Sequence, residues 1–171
     1  MKVGRTVTAV RVTRAAFQRW GDVVSTQGEE GEGVPCNQGT ARRYDWAARL
    51  ASARPEARPN LAVFRSESRA LPVDITLLEK HPASSQTFVP MRCRRLLVCV
   101  APPRADGTPD VDALEAFLFE EGEGVSYLPG VWHHPIVALD APADLAMLAW
   151  EDGGAGDCVE HPLDLAVRIV A

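Results

Sequence analysis

The chain of 171 residues lacks most of the patterns that announce a function class. It has no apolar stretch near the ~20 residues needed to cross a bilayer; its longest apolar run, Leu96 to Pro103, is strand-sized. The N-terminus alternates apolar with polar residues and has no continuous apolar core of a signal peptide, so a cytoplasmic location is expected. There is no dense block of Lys or Arg, and the net charge is −5, which argues against a nucleic-acid or membrane-surface partner. The four cysteines (Cys36, Cys93, Cys99, Cys158) have no CxxC spacing and read as reduced and structural. Neither Gly122-Glu123-Gly124 nor the run Asp152 to Gly156 has the spacing of a dinucleotide or phosphate loop, and GxSxG is absent.

What the chain does have is punctuation. Thirteen Gly and thirteen Pro leave no room for long helices, which excludes a helical bundle. Thr6 to Val12 alternates like a strand. Thr13 stands as an N-cap to a short helix over Arg14 to Trp20, which Gly21 is expected to stop. Thr26 to Thr40 reads as a long loop and Arg43 to Leu50 as a second short helix. From Leu61 onward, short apolar or alternating runs follow at close spacing: 61–65, 73–81, 87–91, 96–101, 131–139, 144–150 and 163–170, with 113–119 ambiguous. Without helical crossovers between them, these predict a mostly β, antiparallel barrel or jelly roll with a few short helices. The expected organisation is a single domain over 1–171, with 1–60 packing on a barrel core of 61–171.

Two segments carry chemistry. Glu79 and His81 lie two apart at the end of a strand-like run and point to one face; Gln86 enters the next strand and can face the same interior. A carboxylate, an imidazole and an amide oxygen together suit a mixed N/O metal site. The second segment is Tyr127-Leu128-Pro129-Gly130-Val131-Trp132-His133-His134-Pro135. Strand parity sets His133 with Val131 on one face and His134 with Trp132 on the other, so one histidine is the ligand and the other serves elsewhere. Arg65, inside an apolar run, needs a carboxylate partner or a bound anion.

These two segments, with Gln86-Thr87-Phe88-Val89-Pro90, Asn37-Gln38-Gly39 and Asp157-Cys158 in the same order, resemble the ureidoglycolate lyase family of allantoin (purine) catabolism. The resemblance implies a cupin-like barrel and a divalent metal, nickel first, with manganese, iron or zinc as alternatives. It assigns Glu79, His81, Gln86 and His133 as ligands. It implies Arg65, Asn37, Tyr127 and Trp132 as substrate-binding residues, with His134, Arg65 and Tyr127 acting in catalysis. The substrate would be ureidoglycolate and the assembly a homodimer. Trp150-Glu151-Asp152-Gly153 departs from the family's Asp-Arg ending of that strand. Two rival readings follow: a non-catalytic module that binds small carboxylates, and a metal-dependent enzyme acting on another small hydroxy acid.

Overall fold

The computed structural model describes residues 2–27 and 33–171; positions 28–32, part of the expected 26–40 loop, lie outside the described residues. The strands in chain order are β1 (Val3–Thr8), β2 (Val10–Arg11), β3 (Gly21–Val24), β4 (Val34–Cys36), β5 (Ala41–Arg43), β6 (Arg58–Ser66), β7 (Ser68–Arg69), β8 (Val73–Lys80), β9 (Gln86–Arg92), β10 (Arg95–Ala101), β11 (Glu115–Phe119), β12 (Gly124–Tyr127), β13 (Trp132–His133), β14 (Val137–Leu139), β15 (Ala143–Glu151) and β16 (Val159–Val170). One helix, α1 (Arg14–Phe17), and two 3-10 turns complete the described elements.

The protein is mostly β, a cupin-like two-sheet barrel. One sheet has the path β1-β16-β8-β13-β10-β11-β2, and the facing sheet runs β3-β12-β9-β15-β6. The N-terminal strands are hydrogen-bonded into these sheets: β1 runs along β16, β2 along β11 and β3 along β12. Most pairings are antiparallel as expected, but β1 with β16, β2 with β11 and β7 with β14 run parallel. The uninterrupted apolar run at Leu96 has a direct cause. Leu96, Val98 and Val100 face the interior between the sheets, while Leu97, Cys99 and Ala101 face a second cluster with Ile75, Val167 and Ile169. A strand buried on both faces has no polar side to show.

Two local expectations are corrected. Thr13 caps α1, its hydroxyl accepting from Ala16 N–H at 3.2 Å, but Gly21 does not stop the helix in a left-handed turn. It opens β3, and a Cβ there would lie 1.8 Å from the Ser126 carbonyl oxygen, so its smallness serves strand approach. The expected helix over 43–50 is absent. Arg43 ends β5, the Asp45 carboxylate turns back to Arg43 Nε at 3.2 Å, and Trp46 takes φ +58. A short acidic side chain bonding locally competes with helix formation, and Arg49 is drawn away to Asp22 at 2.9 Å.

Candidate metal centre

Two imidazoles and a carboxylate converge at one end of the barrel. Glu79 sits near the end of β8, His81 just beyond it, and His133 in β13, which pairs with both β8 and β10. One potential ligand atom from each lies within 4.8 Å of the others. His133 Nε2 is 3.5 Å from Glu79 Oε1 and 3.1 Å from Gln86 Oε1. Both histidines are buried and their rings stack with centroids 5.5 Å apart.

The backbone decides which ring nitrogen faces inward. His81 Nδ1 lies 2.8 Å from the Asp157 carbonyl oxygen, and His133 Nδ1 lies 2.9 Å from that of Val131. A carbonyl can only accept, so each Nδ1 carries a proton; His133 Nε2 faces Glu79 Oε1 and the Gln86 amide, and Nε2 is the nitrogen left free on His81. His81 Nε2 is buried and has no hydrogen-bond partner among the described residues. Two ring nitrogens tied to backbone carbonyls, with the opposite edges of the rings beside a carboxylate, form the arrangement that orients metal-ligating histidines. The donor set thus fits a divalent cation, although nothing in it names the ion.

Burial holds His81 below the ordinary histidine range, with the neighbouring His133 adding to the effect, so its ring is neutral at neutral pH. Burial pushes the Glu79 carboxyl up, but the hydrogen bond and charge of His133, with His81 and His134, outweigh it and hold the group below the usual carboxylate range. Glu79 is therefore ionised where His81 is not.

Two structural supports hold the site, of which only the Pro129-Gly130 turn, with Gly at positive φ, was readable in the sequence. The Asp157 carbonyl fixes His81, while its carboxylate accepts from Gly153 N–H at 2.8 Å and pairs with Arg54. Arg54 also reaches Asp152 at 2.7 Å. Residues so far apart in sequence give no spacing signal. The Pro129-Gly130 turn is the other support: Gly130 N–H donates to the His81 carbonyl at 2.9 Å, with Gly130 at φ +78.

Of the expected site residues, Glu79, His81, Gln86 and His133 are brought together. Tyr127 is also here, its ring stacked on His133 with centroids 4.0 Å apart, but it is fully buried and its hydroxyl has no partner. The other four are elsewhere. Trp132 faces the second core cluster, where its Nε1–H donates to the Gly107 carbonyl and Lys80 sits over the ring. His134 turns away from the cluster and holds the Leu77 carbonyl through Nδ1 at 2.8 Å. Strand parity thus separates His133 from His134 as expected. Arg65 is exposed and paired with Asp144 at 2.7 Å. The β15 register sets Asp144 five residues from Ala149, the partner of Gln86, or roughly 17 Å along the strand. Asn37 is exposed in a 3-10 turn of the separate β4-β5 hairpin.

A β-barrel holding a Glu-His-His cluster at one end defines a cupin-like protein with a candidate metal centre. A family model described as ureidoglycolate lyase matches residues 4–170, and the chain belongs to the ureidoglycolate lyase family. It is 40% identical over 156 residues to a ureidoglycolate lyase of Burkholderia cepacia, covering 91% of this chain and 85% of that one. It is 32% identical over 166 residues to one of Pseudomonas syringae pv. tomato, covering 97% and 95%. Among solved structures, a dTDP sugar isomerase of Desulfovibrio desulfuricans aligns with TM-score 0.44 and 18% identity over 71% of this chain and 79% of its own.

Proposed function

We propose that the chain is a ureidoglycolate lyase that releases urea and glyoxylate from (S)-ureidoglycolate, and that Glu79, His81 and His133 hold a divalent cation, with the Gln86 amide oxygen beside them. Family membership over residues 4–170 supports the substrate. The convergence of ligand atoms from Glu79, His81 and His133 within 4.8 Å, with both Nδ1 atoms tied to carbonyls, is the observation that carries the metal reading. Nickel is the first ion to test.

The substrate carbon bears a hydroxyl, a carboxylate and a ureido nitrogen. Cleavage takes a proton from the hydroxyl, turns that C–O bond into a carbonyl, and leaves the C–N electron pair on nitrogen, which is then protonated. A bound divalent cation supplies Lewis acidity that lowers the pKa of the hydroxyl. Glu79 is ionised at the site; its Oε1 lies by His133, and the other oxygen, Oε2, is the proton carrier in this reading, taking the hydroxyl proton and delivering it to the departing urea. His81 and His133, locked at Nδ1, orient the centre. Tyr127, stacked under His133, holds that ring and stays protonated, because burial raises its hydroxyl far above the ordinary range.

The test is a coupled assay of urea and glyoxylate from racemic ureidoglycolate, with metal analysis of the same sample. Turnover that stops on chelation and returns with metal supports the proposal. Full turnover of demonstrably metal-free protein removes the metal role, and tight ureidoglycolate binding without turnover makes the protein a binding module.

The enzyme works in the cytoplasm as a homodimer in this reading. No helix among the described residues is long and apolar enough to cross a membrane. The β6 strand is an open edge of its sheet, and the outer face there exposes Leu61 (72%), Val63 (67%) and Met91 (65%). An open, apolar edge of this kind is suited to pairing with a second copy. Light scattering should give twice the chain mass, and Val63→Glu should halve it without loss of fold.

A further inference from the structure

We propose that Arg58 clamps the substrate carboxylate at the mouth of this site, and that Glu151, held by Asn60, receives the ureido N–H groups beside it. The proposal rests on the ureidoglycolate reading above and deepens it, because it gives the two ends of that substrate named partners.

Strand register places the three residues. Tyr127 pairs with Gln86, Gln86 with Ala149, and Ala149 with Asn60, so they form one row across the sheet. Parity keeps that row on the inner face, since further along β6 Ala62 packs on the core between the sheets and Phe64 meets Phe88 edge-on at 5.5 Å. Two residues further out on the same face, Glu151 stands opposite Arg58. Asn60 is thus two strands from Gln86, roughly 10 Å away. Arg65 is on the other face of β6, seven residues on, and does not compete for this role. The outer end of β15 is also fixed against the turn that carries His81: Trp150 N–H donates to Ser84 Oγ at 2.8 Å. The Glu151 charge is among those that favour protonation of His81. Arg58 and Asn60 are exposed and Glu151 is half-buried, so this is where the site opens to solvent.

The independent sign of a missing ligand is an ion pair that does not close. On the same two strands, the register partners Arg65 and Asp144 pair at 2.7 Å, and across β16 and β8 the partners Arg168 and Asp74 pair at 2.8 Å. Arg58 and Glu151 have the same relation, yet Glu151 Oε2 accepts from Asn60 Nδ2 at 2.6 Å instead. The Arg58 guanidinium has no hydrogen-bond or ion-pair partner among the described residues. A guanidinium left open is a planar fork that fits a carboxylate with two parallel hydrogen bonds. The second Glu151 oxygen and the Asn60 amide oxygen are acceptors, and a ureido end offers N–H donors to both.

The experiment measures ureidoglycolate turnover by the metal-loaded, full-length protein and, by calorimetry, its binding of inert analogues. N-carbamoylglycine keeps both ends of the substrate and lacks the hydroxyl; N-carbamoylglycinamide has a neutral end in place of the carboxylate; N-acetylglycine lacks the terminal amide nitrogen. Arg58→Gln should raise KM at least about tenfold with kcat within a few-fold, and Arg58→Lys should recover part of the loss. The unaltered protein should bind N-carbamoylglycine at least about tenfold more tightly than its amide, and Arg58→Gln should erase that preference. Glu151→Ala should weaken N-carbamoylglycine and leave N-acetylglycine unchanged. Arg58 has no contact to lose, so its variants should melt with the unaltered protein, which separates binding from folding. A KM within about twofold in Arg58→Gln, or equal binding of acid and amide by the unaltered protein, overturns the clamp and leaves the ureidoglycolate reading standing. Equal weakening of N-carbamoylglycine and N-acetylglycine in Glu151→Ala overturns the role of Glu151. An unaltered protein that does not turn over ureidoglycolate overturns that reading and this inference together.

Discussion

At the scale of single residues, the two adjacent histidines have opposite jobs, and substitution should separate them. His133 turns Nε2 to Glu79 and Gln86, so His133→Ala should lower turnover about 100-fold or more and strip the metal. His134 donates to the Leu77 carbonyl on the other side of the strand. Its removal leaves that buried acceptor unpaired, a cost of about 1–3 kcal/mol, so His134→Ala should lower the urea midpoint while turnover stays within a few-fold. Equal loss of turnover in both variants would contradict the division. Arg65→Ala should leave turnover unchanged, since an exposed pair with Asp144 is worth about 0–1 kcal/mol and stands far from Gln86. That Glu79 and His81 share a face was legible because strand parity is a local property, while parity alone left the choice between His133 and His134 open. Arg65 was misleading because its apolar neighbours hid the fact that β6 is an edge with an open outer face, where a charge finds both water and a carboxylate. Trp132 misled in a related way: parity correctly set it opposite His133, and the second, hidden core cluster is what takes it in.

At the scale of elements, the site depends on how strands approach and how one loop is braced. Gly21 lets β3 lie against β12, and a Cβ would strike the Ser126 carbonyl. Gly21→Ala should therefore cost about 3 kcal/mol by forcing the strand outward. Gly130 is small for a different reason: nothing lies within 4 Å of its missing Cβ, but φ is +78. Gly130→Ala should cost only about 1 kcal/mol, through backbone strain. Thermal melts of the two variants check the order, and the reverse order would refute it. The loop brace has a functional readout. Arg54→Ala frees the Asp157 carboxylate and loosens the carbonyl that orients His81. Metal affinity should fall about tenfold while the melting temperature moves little. The short strands were readable from turn residues and alternation, and so was the cap at Thr13. The helix expected over 43–50 failed because its apolar spacing said nothing of Asp45 bonding locally or of Arg49 being pulled to Asp22. The bracing of His81 by the 152–158 segment was invisible for a simpler reason, since contacts between positions 54, 81 and 157 carry no period.

At the scale of the whole molecule, burying neutral imidazoles makes stability depend on pH in a predictable direction. Burial lowers His81 and His134 from the ordinary 6.5, against carbonyl hydrogen bonds that partly offset it. As pH falls through about 6.5, the unfolded chain takes up protons on these rings and the folded protein does not. Proton uptake by the unfolded state alone favours unfolding, so stability is full above that pH and declines on acidification. A second decline follows at lower pH. The Arg54, Arg65 and Arg168 side chains hold Asp157, Asp144 and Asp74 below their ordinary 3.8, and that stabilisation is lost as those carboxylates protonate. Loading the metal should steepen the first decline, because the cation and the proton compete for the free ring nitrogen of His81. Urea midpoints measured on metal-free protein should therefore hold from pH 8 to about pH 6.5 and fall from there to pH 5, and His134→Phe should flatten part of that slope by removing one titrating ring. A midpoint that holds constant over that range would mean that the rings take up protons as readily in the folded protein as in the unfolded chain. In that case a proton, rather than a cation, would satisfy the cluster at Glu79, and the case for a metal would have to rest on direct analysis alone.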